Sequence, residues 1–531
     1  MIRLAVLPPL AALLLAAADP APPLLSPARI KADIAVLASD EYKGRGPAQA
    51  GEAPTLALLE KRFRDLGLTP QRQAVPMVRL TRTAARFSLN KAVLTPGKEI
   101  AATSGIVGTT DLAPTGIVFV GYGMTDPKLG YDPYAGVDVK GKVVLALAGD
   151  PDSEAGHDLG FGGRALAQAA RGKAAEAWKR GAAAFLTLHE DFAASYPWLQ
   201  RASSDPAPAY RLDDGTDPPA FGIRGSLRED IGRRLLTDSG IDLDREKVAA
   251  RAPAWRARPL AGATFAGHVE TVQDRVVSHN VVAVLPGTDP AAGSILYGAH
   301  WDAYGDNAWD PPADRIRNGA VDNATGTATL LEVARAFATG PRPRRSVVFG
   351  LWTAEEKGLL GAYWYAAHPL LPLATTAAQF NLDPHVVFPR TRTLELIGPG
   401  RTPLEAELTR VAAAQGLAVV PEENSEAGWY FRSDHLPFAE KGVPGVYFRA
   451  GRDLVTGGRA AGEAWRARYN ARCYHQPCDE YDPRWDLTGA AQEGSVALAL
   501  GREIAGSTRW PGWNAGSPYA TVRAASDAER R

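Results

Sequence analysis

The sequence predicts an α/β protein, and two observations carry that prediction. The apolar run 346–352 reads as a buried strand. It feeds through Thr353-Ala354-Glu355-Glu356-Lys357-Gly358 into 359–366, which reads as a helix. The runs 294–300 and 377–383 read as further strands, with a helix expected over 327–337 between them. Strand and helix therefore alternate, as in a sheet covered by helices. In open α/β sheets ligands collect outside the carboxyl ends of the strands, and Glu355 and Glu356 fall at such an end. Adjacent carboxylates repel unless a cation or a proton separates them. The plainer reading is a solvated pair at a helix start, where the dipole favours acids.

Size and charge bound the rest. A chain of 531 residues is long for a single core, so two or three domains are expected. Lys+Arg and Asp+Glu both total 59, so no global field attracts nucleic acid or an anionic membrane. Residues 1–18 have the make-up of a signal peptide. Arg3 supplies the positive end, Leu4 to Leu15 an apolar core too short for a membrane span, and Ala16-Ala17-Ala18 a small-residue cleavage site. The mature chain is expected to be exported, periplasmic or secreted, with no membrane span.

From Pro27 the elements follow in order. Ile30, Ile34, Leu37 and Ala38 share one helical face, broken at Gly44-Arg45-Gly46. A second helix carries Leu56, Leu58, Leu59, Phe63 and Leu66 and stops at Gly67. Residues 79–94 alternate irregularly and are expected to hold strands. Residues 100–262 read as a separate unit, with strands over 116–123 and 138–147, a helix over 174–180 and a strand over 181–188. His157 and His189 stand alone in it and are expected in solvated loops. The end of the chain, 516–531, reads as a polar tail frayed from Arg523 on, after packed or surface-clamped aromatics at Trp510-Pro511-Gly512-Trp513.

Chemistry-bearing residues begin at the strand 294–300. It ends in His300-Trp301-Asp302, a step that lets His300 bind a metal while Asp302 fixes its ring. Asn318-Gly319-Ala320-Val321-Asp322-Asn323 is a polar turn that puts Asp322 near a helix start, where a carboxylate is also an ordinary cap. Glu355 and Glu356 follow. The strand 377–383 ends in Asp383, and Cys473-Tyr474-His475-Gln476-Pro477-Cys478 places His475 in a constrained loop. Two histidines and four carboxylates without thiolate suit catalytic zinc, and also manganese or cobalt. The only two cysteines, in an exported chain, favour a Cys473–Cys478 disulfide.

In this order of motifs the chain resembles the co-catalytic zinc aminopeptidases, metallopeptidase family 28, related to glutamate carboxypeptidase and the transferrin receptor. Gly44-Arg45-Gly46 is similar to the family's N-terminal turn. Gly121-Tyr122-Gly123 and Lys140-Gly141-Lys142-Val143-Val144 are similar to its protease-associated insertion. Arg432-Ser433-Asp434-His435-Leu436-Pro437-Phe438 resembles its later motif.

The resemblance implies a mixed, mainly parallel central sheet flanked by helices, of the zinc-exopeptidase, phosphorylase-hydrolase-like kind. The peptidase domain would comprise 19–99 and 263–515, with a β-rich protease-associated domain inserted at 100–262. It implies two zinc ions per chain, one on His300 and Asp383, the other on Glu356 and His475, with Asp322 bridging. Glu355 becomes the general base and Tyr474 steadies the oxyanion, so that a hydroxide held between the metals hydrolyses the first bond of a peptide substrate. Asp434 and His435 would support or line the pocket. The family often continues after the third strand with Met; here Pro384-His385 follows Asp383, with His385 expected to have no ligand duty. The same fold hosts glutaminyl-peptide cyclotransferases with one zinc and receptor-like modules that lost their ligands. It also hosts carboxypeptidases, which need a basic pocket, for which Arg432, Arg449 and Arg472 are the candidates.

Overall fold

The computed structural model describes residues 24–530, apart from 128, 152–171, 195, 217–219, 385 and 424–427. The expected signal peptide, His157 and His385 lie outside the described residues. No helix among the described residues is long and apolar enough to cross a membrane.

The C-terminal half is built around Ser294–His300, a strand with every residue buried. It lies between Ser346–Trp352 and Thr376–Asn381 and runs parallel to both. Strands covered on both faces read as continuous apolar runs, and the covering comes from helices. Pro27–Leu37 and Glu52–Asp65 bring Ile30, Ile34, Leu37, Leu56, Leu59 and Phe63 to the core; Thr325–Ala338 and Thr488–Gly506 add Val333, Phe337 and Ile504. Ser26 caps the first helix, accepting the Arg29 N–H, with Pro27 in its first turn. At the centre the Tyr297 ring stacks on Phe380 at 4.9 Å and Phe349 at 6.0 Å, and its hydroxyl donates to the Ala497 carbonyl at 2.8 Å.

Two long strands, Pro70–Leu89 and Arg258–Leu285, pair antiparallel along nearly their whole length, with an irregularity between Arg82 and Ala84. The end of Arg258–Leu285 pairs with Ser346–Trp352 in the C-terminal half. Its beginning pairs with Gly108–Phe119, which leads on to Val143–Leu147, Ala184–His189, Ile223–Arg228 and Ile100–Thr103. One 12-stranded sheet therefore runs through the molecule. The expected boundary at 262 falls inside a strand rather than at a linker. The upper core likewise reaches back to Phe87, Leu89 and Leu94 and forward to Phe265 and Val269. The unit also alternates strand and helix rather than being simply β-rich. Val143–Leu147, Ala184–His189 and Ile223–Arg228 are parallel, and Ala174–Lys179 and Glu229–Asp238 lie between or after them in the chain.

Two expectations are corrected. His189 is not in a solvated loop: it ends the strand Ala184–His189 and is 3% exposed, enclosed by the rings of Tyr196 and Trp198. Nor does the chain fray after Arg523. That residue sits in the helix Ala520–Ala525 and is buried, donating to the Thr376 carbonyl at 3.0 Å. A long cation can thus satisfy strand-start carbonyls while its stem packs. Trp513 is buried too, packed on Tyr519 with its N–H on the Gly442 carbonyl.

Candidate functional site

His300, Glu355, Glu356 and Asp383 arrive from the carboxyl ends of strands, Asp322 from the turn before a helix, and Tyr474 and His475 from the loop after the helix Gly458–Arg472. His300 ends Ser294–His300. Asp322 lies in the short turn Ala320–Ala324 that opens into Thr325–Ala338. Glu355 and Glu356 follow Ser346–Trp352 in a tight turn, with Ala354 at φ 54° and Leu359 at φ 61°, and the helix starts only at Leu360. They are therefore not a solvated pair on a helix start. Asp383 follows Thr376–Asn381, and His475 is held at φ 58° in the loop closed by Cys473 and Cys478, whose sulfurs are 2.16 Å apart. A non-glycine residue at such a φ persists only where its surroundings over-determine it.

These residues converge as two groups that share one carboxylate. His300, Asp322 and Asp383 form one, and Asp322, Glu356 and His475 the other. Asp322 turns Oδ1 to His300 Nε2 at 3.2 Å and Oδ2 to His475 Nε2 at 3.1 Å. His300 Nε2 is 3.6 Å from Asp383 Oδ1, and His475 Nε2 is 3.4 Å from Glu356 Oε2. His300 Nε2 and Glu356 Oε1 are buried without a hydrogen bond, as suits nitrogen and oxygen atoms whose lone pairs can serve a metal ion. Imidazole and carboxylate without thiolate fit zinc, manganese or cobalt.

The electrostatics point the same way. Burial pushes the Glu355 and Glu356 carboxyls well above the usual range, with neighbouring carboxylates adding to it. Burial works against ionised Asp322, but His300 and His475 hold its carboxyl below the usual range. Burial also works against protonated His300, yet Glu355, Asp302, Asp322 and Asp383 hold its proton affinity well above the ordinary histidine value. So much negative charge in a buried space is what a bound divalent cation compensates.

Glu355 stands beside this set, with Oε2 3.9 Å from His300 Nε2 and outside both ligand groups. A cavity of about 370 Å3 opens on Glu355, Asp322, Tyr474 and His475, and its other wall is made by Leu359, Trp429, Phe431 and Leu436. Tyr474 lies against His475, ring centroids 3.7 Å apart, and its hydroxyl accepts from Arg432 Nη2 at 3.4 Å.

Asp302 meets the His300 ring through both its backbone and its side chain. The His300 Nδ1 contact at 3.1 Å is with the Asp302 backbone carbonyl, whereas the carboxylate is 3.7 Å away and accepts the Glu355 N–H at 3.1 Å. Asp302 thus ties the strand carrying His300 to the turn carrying the two glutamates. His435 lies outside both ligand groups, enclosed by the rings of Tyr430 and Tyr447. Of the three candidate arginines only Arg432 reaches the cavity. Arg449 is buried in an ion pair with Glu395 at 2.7 Å, and Arg472 lines other cavities.

Four supporting roles escaped the sequence reading. Arg45 is fully buried and donates to the carbonyls of Leu37, Trp301, Asn318 and Gly319, pinning the loops on either side of His300 and Asp322. Asp479 accepts the N–H groups of Val321 at 2.9 Å and Asp322 at 3.1 Å and the Tyr469 hydroxyl at 3.2 Å, binding the His475 loop to the Asp322 turn. Ser433 donates to Asp383 and accepts from Asn381, which orients that ligand. Tyr304 is 2.8 Å from His475 Nδ1; with Nδ1 as donor, the Nε2 lone pair faces Asp322 and Glu356. Arg45 and Ser433 lay inside motifs already singled out, and Asp479 directly follows Cys478. Nothing in their types alone announced these contacts.

Known proteins resemble the chain in sequence and in fold. Leupeptin-inactivating enzyme 1 of Streptomyces exfoliatus is 29% identical over 263 residues, which are 46% of this chain and 54% of that protein, so the chain spans about half that relative's length. Among solved structures, an aminopeptidase from Aneurinibacillus sp. strain AM-1 is similar with a TM-score of 0.56 at 18% identity, over 91% of this chain and 94% of its own. A zinc aminopeptidase from Bacillus subtilis is similar with a TM-score of 0.52 at 20% identity, over 90% and 95%. These likenesses show a shared fold. The sequence profile of peptidase family M28 matches residues 280–499, the segment that carries every residue from His300 to His475, so that part of the chain is similar to that family.

Proposed function

We propose that the chain is an exported aminopeptidase that holds two zinc ions and hydrolyses the first peptide bond of its substrate. The observation that carries the reading is the division of labour among the carboxylates. Asp322 offers one oxygen to each ligand group, while Glu355 is buried beside both and belongs to neither. His300, Asp322 and Asp383 would hold one ion, and Asp322, Glu356 and His475 the other. Two ions in such a site supply, when bound, electrostatic polarisation of the scissile carbonyl and of the attacking water.

The chain's own residues do the rest. Glu355, whose burial makes its carboxylate a stronger base, takes a proton from the attacking water and returns it to the leaving amine. Tyr474, kept protonated by burial, donates its hydroxyl hydrogen to the carbonyl oxygen as charge develops there. Leu359, Phe431 and Leu436 give the first side chain an apolar wall. Two ligand groups rather than one favour hydrolysis over the single-zinc cyclotransferase reading, and an intact donor set argues against a receptor-like module. An export signal at 1–18 is the basis for placing the enzyme outside the cytoplasm.

The test is Glu355→Gln, assayed on aminoacyl anilides with metal content measured in parallel. The variant should keep its metal and lose turnover by about 10²–10⁴-fold. Wild-type-like turnover in it would remove Glu355 from the mechanism.

A further inference from the structure

His475 is the ligand that no strand holds. It follows the helix Gly458–Arg472, and its backbone is left-handed at φ 58°. A residue with a Cβ relaxes from that conformation unless its neighbours oppose it. Its carbonyl shows how it is opposed. Arg317 Nη1 donates to the His475 carbonyl at 2.8 Å, and Gln476 Nε2 donates to the same oxygen at 3.0 Å. Arg317 is 2% exposed and is fixed in turn by two other segments. Its Nε and Nη2 each donate to the buried Asp310 carboxylate at 2.7 Å, and Nη2 also donates to the Ser203 carbonyl at 3.1 Å. A guanidinium is a flat fork, so acceptors on several of its edges fix its orientation. Gln476 Nε2 reaches the same residue, donating to Ser203 Oγ at 2.9 Å.

Ser203 ends the helix Trp198–Ser203, within the unit at 100–262, which carries none of the candidate ligands. Gln200 of that helix donates to the Asn470 carbonyl at 2.8 Å, just ahead of the His475 loop. The Arg317 guanidinium also lies 5.6 Å from the centre of the Tyr304 ring, whose hydroxyl meets His475 Nδ1. Backbone and ring of His475 are thus both braced from one side. His300 and Asp383 are held differently, by the Asp302 carbonyl and by Ser433, and among the described residues Arg317 makes no hydrogen bond to either. We propose that Arg317 is a positioning residue for one ion only. With Gln476 it braces the His475 carbonyl against the unit at 100–262, and so sets the affinity of the ion on Asp322, Glu356 and His475 without affecting the ion on His300, Asp322 and Asp383. The inference rests on the two-ion reading of the site.

The experiment titrates the metal-free full chain with zinc against a chelator of known strength, so the readout is binding rather than turnover. The wild type should show two binding steps. Arg317→Lys keeps a cation for Asp310 but not the fork. It should weaken one step by about 10–100-fold and leave the other unchanged. Added to Glu356→Ala, which leaves only the ion on His300 and Asp383, it should have no effect; added to Asp383→Ala, its full effect should remain. Gln476→Leu removes one of the two donors at similar volume and should weaken the same step by a smaller factor, which keeps the test open should Arg317→Lys not fold. Equal weakening of both steps, or of neither, in the variants that fold would show that this seam only supports the fold, and would overturn the inference. A single step in the wild type, weakened in Arg317→Lys and abolished in Glu356→Ala, would leave Arg317 in its role and remove the two-ion reading instead.

Discussion

Asp322 is the residue on which the site turns. Its position is set through its backbone as much as its side chain, because Asp479 accepts both its N–H and that of Val321. Changing Asp479 to Asn puts an amide donor where two N–H groups converge, and loosens the turn without touching a ligand. We expect metal affinity to fall by about 10–100-fold, read by competition with a chelator of known strength; unchanged affinity would mean that Asp479 is only a packing residue. The candidate ligands were legible in the sequence because each is a chemically conspicuous residue at a strand end, in a glycine-rich turn or in a cysteine-flanked loop. The His-x-Asp step announced Asp302 as a partner of His300 but could not say that its backbone carbonyl would be the nearer group. Arg45 was seen only as part of a turn, since four carbonyl acceptors leave no trace in a sequence.

Among the elements, the helix Thr488–Gly506 shows how closely the sheet is covered. A Cβ at Gly501 would lie 1.7 Å from the Tyr297 hydroxyl, which the strand centre holds in its aromatic stack. Gly501→Ala is therefore expected to cost about 1–3 kcal/mol of stability through overpacking, measured by denaturant unfolding; a neutral effect would show that the helix can shift outward freely. The catalytic strands were readable because they are short, apolar and bounded by turn residues. The long strands Pro70–Leu89 and Arg258–Leu285 were not. Much of their length is partly exposed, with Thr, Arg and Gln among the apolar residues, so their pairing along nearly twenty positions depends on each other rather than on a local pattern. The same coupling explains why a boundary placed at 262 cuts a strand.

At the scale of the whole molecule, buried ionisable groups make stability depend on acidity. His435 is pushed down to about 3 by burial. The unfolded chain takes up that proton first, from its ordinary value of 6.5, so stability falls as the pH drops from there towards 3. Burial works against ionised Glu332, but Arg335, Arg29 and the Ser26 N–H hold it at about 2; its contribution is complete above 4.5 and is lost as the pH falls through about 2. Glu395, held at about 2 by Arg449 and Arg466 despite its burial, has the same sign. Glu493, Glu422 and Asp479, pushed up by burial to about 8, 7 and 7, have the opposite sign but act only above the ordinary carboxylate range. Denaturant midpoints should therefore decline between pH about 4 and about 2; a midpoint that rises on acidification across that range would contradict this account.

The central claim is that two ions share Asp322 while Glu355 stays free for proton transfer. Elemental analysis of the purified protein, titrated against chelator while release from an aminoacyl anilide is followed, tests it most directly. The account predicts two zinc ions per chain and release that disappears as they are withdrawn. One ion per chain, or none, with release undiminished by chelator, would contradict it.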